Sequence, residues 1–148
     1  MALKTHNSAM KAPAPTAIQL HRQSRVLEVR YVEGASWSLP CEYLRVFSPS
    51  AELQGHGLVE PMLIGGKREV NISAIEPVGQ YAVRLRFDDG HDTGLYSWSV
   101  LQNLGEQQQK NWARYLQRLE EMGMSRDRDV TKLAALPKKY LPNISTKN

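Results

Sequence analysis

The stretch Tyr81-Ala82-Val83-Arg84-Leu85-Arg86-Phe87, followed by Asp88-Asp89-Gly90-His91, constrains the fold more than any other part of the chain. Tyr81, Val83, Leu85 and Phe87 recur at every second position, with Arg84 and Arg86 on the opposite face. This is the period of a strand with one buried side. Asp89-Gly90 is a hairpin turn signal, because glycine accepts the positive φ that such turns require. His91 to Leu95 then reads as the returning strand. The register is thereby pinned, since a slip of one residue would carry the apolar set to solvent.

The segments on either side follow the same logic. Ile18 and Leu20 alternate with polar residues, and a turn at 22–24 leads to Leu27, Val29 and Tyr31 on one face of a second strand. Gly34 ends it, and residues 36–40 return, giving an opening hairpin. Pro40 suits the start of a short helix carrying Tyr43, Leu44 and Phe47. Val70, Ile72 and Ala74 alternate in a further strand that Pro77 and Gly79 close. After the central hairpin, Ser97 is a helix cap, Trp98, Leu101 and Leu104 form a buried stripe, and Gly105 is a stop. A second helix over 108–122 buries Trp112, Tyr115, Leu116, Leu119 and Met122, with Gly123 as its C-cap. Hairpins followed by helices, without strand–helix–strand alternation, predict an α+β fold: a small antiparallel sheet built from hairpins, with the C-terminal helices packed on one side.

Charge divides the chain in the same way. Residues 1–25 and 126–148 each carry a net +4, whereas 26–125 carry −4, so the overall +4 belongs to the ends. Residues 1–16 read as a disordered leader, 17–123 as the folded unit and 124–148 as a basic flexible tail. Basic ends around an acidic body argue for solubility rather than for a nucleic-acid footprint. No apolar run approaches the roughly 18 residues of a membrane span. A single cysteine, Cys41, fits a reducing compartment, and the expected location is the cytoplasm.

Two stretches, LPCEYLRVFSPSAELQGHG at 39–57 and IEPVGQYAVRLRFDDGHDTGLYSW at 75–98, closely resemble the γ-butyrobetaine hydroxylase-like N-terminal domain family, formerly a domain of unknown function. The resemblance spans about 17–123 and fits a stand-alone bacterial form. It implies a domain that precedes the catalytic jelly roll in two dioxygenases and is fused elsewhere to iron–sulfur scaffold ATPases. It also implies a structural zinc held by three cysteines and the histidine of the Asp-Asp-Gly-His turn. Here the three cysteine positions fall on Ser48, Ser50 and Leu53, so only His91 remains, and zinc with Cys and His donors requires four ligands. The zinc site is expected to be lost, leaving no firmly implied cofactor.

Two readings of His91 stay open. In one it packs in the hairpin against Asp88, Asp89 or the Tyr96 hydroxyl. In the other it joins His56, between Gly55 and Gly57, and nearby acids such as Glu52 as a weak Fe or Zn site. Cys41 reads as a small half-buried apolar residue. The Gly65-Gly66-Lys67-Arg68 run suits a phosphate contact or a plain turn equally well. No facial triad, nucleophile elbow or phosphate-loop motif is present. The expected function is therefore a non-catalytic accessory or binding module in iron–sulfur or other metal-cofactor handling, with a protein partner, as a monomer or weak homodimer. The alternatives are a small metal-binding protein using His91 and His56, or a nucleic-acid-associated protein using its basic ends.

Overall fold

The computed structural model describes residues 12–49 and 61–128. Six strands and three helices follow one another as β1 (Ala17–His21), β2 (Val26–Arg30), β3 (Ser36–Pro40), α1 (Cys41–Val46), β4 (Ile72–Val78), β5 (Ala82–Phe87), β6 (Gly94–Ser97), α2 (Trp98–Glu106) and α3 (Gln108–Glu121). The α+β class holds, but the expected single sheet is two: β1-β2-β3 and β4-β5-β6, each an antiparallel meander of neighbours in sequence. Leu27, Val29 and Leu39 of the first sheet meet Ile72, Val83, Leu85, Phe87 and Tyr96 of the second. Tyr43 and Leu44 of α1 and Leu101 and Leu104 of α2 complete the core. A smaller cluster joins Val46 to Tyr115 and Leu119 of α3.

Several local expectations are corrected. β4 runs through Pro77 to Val78, and its register shifts between Ile72 and Ala74. That irregularity sets Ala74 opposite Arg86, while Ile75 faces Leu85 and packs on the core. A bulge carries one extra residue and reverses the alternation beyond it. Tyr81 is 60% exposed. It lies in the turn before β5, folded over Gly79, whose φ of +55° lets the chain reverse. The returning strand begins at Gly94, three residues later than His91.

Gly105 does not stop α2. It is buried inside the helix, where an added Cβ would stand 2.6 Å from Trp37 Cε2. Its missing side chain lets α2 lie directly on the indole of β3, a packing reason that outweighs the helix-breaking tendency of glycine. On α3, Tyr115 and Leu119 are buried and Trp112 is half-buried, but Leu116 and Met122 are exposed. The two caps stand as expected: Ser97 accepts the Val100 N–H at 3.2 Å, and Gly123 has φ +65°.

The start of the basic C-terminal segment is fixed to the body. Gly66 N–H donates to the Ser125 carbonyl (2.9 Å) and Arg68 N–H to the Arg126 carbonyl (3.1 Å). The Arg126 guanidinium bonds both oxygens of Glu42 at 2.6 and 2.9 Å and lies 5.2 Å above the centre of the Trp112 ring. Glu42 is only 6% exposed, so this pair satisfies a charge that could not otherwise stay buried.

Candidate functional site

The Asp-Asp-Gly-His turn gathers the polar chemistry of the described chain. Gly90 takes φ +95°, Gly90 N–H donates to the Phe87 carbonyl and Phe87 N–H to that of His91, closing a tight loop. The loop presents Asp89 to two cations on one oxygen: Arg45 Nε lies 2.8 Å and Lys67 Nζ 2.6 Å from Oδ2. Oδ1 accepts the His91 N–H at 3.1 Å. Burial opposes ionisation of Asp89, but Lys67, the His91 N–H and Arg45 together outweigh it and bring the carboxyl down to about 2.

Asp88 performs a different task. Its Oδ1 accepts the Asn71 N–H (3.1 Å), and its own N–H donates to the Asn71 carbonyl. The Asn71 side chain in turn donates to the Arg22 carbonyl (3.1 Å), and its Oδ1 accepts the Ile72 N–H (2.9 Å) and faces Cys41 Sγ at 3.7 Å. One asparagine thus joins the first hairpin loop, the head of α1 and the turn of the second sheet. Nothing in the alternation pattern marks it, because its role lies entirely in its hydrogen bonds.

His91 does not bond Asp88, Asp89 or Tyr96 through its ring. Its Nε2 pairs with Ser48 Oγ at 2.9 Å. Tyr96 instead donates to the Leu44 carbonyl at 2.6 Å. Burial, and then the charge of Arg45, hold His91 below its ordinary pKa, so the ring is neutral. Ser48 reaches it across Gly94, whose missing Cβ would meet Ser48 Oγ and the Tyr96 ring.

These residues do not fit a structural zinc. Two donors on one tetrahedral zinc stand roughly 3.4–3.6 Å apart, whereas Ser48 and His91 are in direct hydrogen-bonded contact and the imidazole nitrogen is occupied. Among the described residues, no group of three or more His, Cys, Asp or Glu is arranged to hold a metal ion. Ser50, Glu52, Leu53 and His56 lie outside the described residues.

Cys41 is fully enclosed rather than half-buried, and burial pushes its thiol up to about 11, far from a reactive thiolate. Beside the Asp-Asp-Gly-His turn opens a groove of about 970 Å³, bounded by residues 65–70, by Asp88 and Asp89, and by the 123–128 segment. Its glycines have a structural explanation, since a Cβ on Gly65 would collide with the Ser125 carbonyl. Among the described residues no helix is long and apolar enough to cross a membrane.

Two antiparallel meanders closed by helices, with a polar groove at the Asp-Asp-Gly-His turn, form a small α+β domain. The chain belongs to the gamma-butyrobetaine hydroxylase-like, N-terminal family, whose profile matches residues 18–102. Two solution structures determined by NMR share 51% and 53% identity with it, each with a TM-score of 0.69. They cover 79% and 78% of this chain, and 92% and 86% of their own lengths. A crystal structure of a DUF971 family protein of unknown function from Acidithiobacillus ferrooxidans ATCC 23270 is 37% identical, with a TM-score of 0.53. It covers 62% of this chain and 92% of its own. The comparison with curated proteins returned no match.

Proposed function

We propose that the chain is a non-catalytic accessory module that binds a protein partner across the groove beside the Asp-Asp-Gly-His turn. The observation that carries this reading is the Arg45–Asp89–Lys67 cluster. Its three side chains are 15%, 19% and 23% exposed, so charges are held in fixed positions at the edge of a concave polar surface. Fixed charges of this kind favour register and partner choice over bulk affinity. The groups that could act as nucleophile or base are instead withdrawn: Cys41 and Tyr96 are buried, and His91 is tied to Ser48. A role in iron–sulfur or other metal-cofactor handling, which the family resemblance suggests, would then be exercised through contacts with an assembly protein.

A photo-crosslinking amino acid placed at Arg68 or Arg128 tests this in the native host, with Gln19 on β1 as an exposed position off the groove. The groove positions are expected to trap one common partner that Gln19 does not. Equal labelling from all three positions would overturn the docking surface. A common partner unrelated to metal-cofactor assembly would overturn only the assigned role.

A further inference from the structure

We infer that the groove seats an oxyanion between Lys67 and Arg128. A single carboxylate, Asp89, faces two cations at one of its oxygens, and its other oxygen is taken by a backbone N–H. The cluster therefore carries a surplus positive charge on side chains less than a quarter exposed, where water screens poorly.

The acids that border the groove have partners of their own. Asp127 is bound by Arg68 through two guanidinium nitrogens, Glu69 by Arg25 at 3.3 Å, and Asp88 by the Asn71 N–H. Hydrogen-bond donors remain. The Lys67 ammonium has three and directs one at Asp89. Arg128, at the lip, makes no ion pair with a described residue. Their backbones are adjacent: Arg128 Cα lies 3.6 Å from where a Cβ on Gly66 would be, and Gly66 precedes Lys67. Two cationic side chains lining one partly enclosed groove suit a phosphate or carboxylate group, since bonds between ionised partners are about twice as strong as neutral ones.

The test is an amide NMR titration of the full chain with inorganic phosphate, at constant ionic strength against chloride. Saturable shifts are expected at residues 65–70, 88–91 and 123–128. Lys67→Gln and Arg128→Gln should each weaken binding about tenfold, as expected for one lost charge-assisted bond. Arg128 is exposed, so its variant keeps the fold even if the Lys67 change disturbs Asp89. Linear shifts, identical shifts in chloride, or an Arg128→Gln variant that binds like the parent would each overturn the seat. A competing acetylated Glu-Glu dipeptide separates sources. Displacement of phosphate from the same residues identifies a carboxylate-bearing partner as a fitting ligand, and failure to displace it identifies a phosphoryl group.

Discussion

Replacing Arg126 with alanine removes a cation from beside a carboxylate that has almost no access to water. Glu42 is 6% exposed and receives two guanidinium bonds, at 2.6 and 2.9 Å. Breaking a buried ion pair by deleting one partner costs about 3–5 kcal/mol. The Arg126 side chain is 29% exposed, so water can enter the gap it leaves, and roughly 2–3 kcal/mol is the appropriate figure here. Loss of the stacking on Trp112 adds about 0.5–1 kcal/mol. The total of about 3 kcal/mol corresponds to a fall in Tm of roughly 6–12 °C for a domain of this size. Urea unfolding followed by tryptophan fluorescence measures it. The double variant Glu42→Leu/Arg126→Met supplies the control, because an ion pair exchanged for apolar residues of similar volume is often nearly neutral. If Arg126→Ala costs less than about 1 kcal/mol, or if the double variant is as unstable as the single one, Arg126 does not clamp the C-terminal segment as described.

Three further outcomes are expected. Gly105→Ala should destabilise by about 1–2 kcal/mol. The gain of roughly 0.5–1 kcal/mol usual for alanine inside a helix is opposed by a methyl driven into the Trp37 indole, and an unchanged or raised denaturation midpoint would contradict this contact. Gly90→Val should cost about 1–3 kcal/mol from φ +95° alone, since no atom lies within 4 Å of the added Cβ. A melt indistinguishable from that of the parent would show the turn to be adaptable. The third concerns pH. His91 titrates below its ordinary 6.5 in the folded chain, so the folded state binds fewer protons than the unfolded one. Its contribution to stability is complete above about 6.5 and declines as the pH falls below that value. His91→Gln should flatten the loss between about pH 6.5 and 5 in urea midpoints, and parallel slopes for the two proteins would rule the mechanism out.

The strands were legible wherever their pattern is local. Leu27 and Val29, and Val83, Leu85 and Phe87, occupy the faces that their alternation assigns, and residues 36–40 form the returning strand. Alternation could not reveal the bulge that turns Ala74 outward, because one extra residue leaves composition unchanged while reversing parity. Gly105 was misleading for the opposite reason: its spacing marks a helix end, but its cause is Trp37, 68 positions earlier in the chain. At the candidate site, the resemblance to the family pointed to both Ser48 and His91, and the structure brings them into contact. It did not foresee that they would bond each other. Arg126 lay in a basic stretch that reads as tail, and its fixed place comes from distant partners, the buried Glu42, the Trp112 ring and the Arg68 N–H.

The asparagine at 71 has a consequence for the order in which the chain assembles. Each meander is built from strands adjacent in sequence, so each can form from short loops at small entropic cost. Bringing the two together is the long-range step. It depends on Asn71 reaching back to Arg22, on Tyr96 reaching Leu44, and on Tyr43 donating to the Leu104 carbonyl at 2.7 Å. Weakening this joint therefore removes the link between the two halves while leaving each meander's own neighbour-to-neighbour pairing in place.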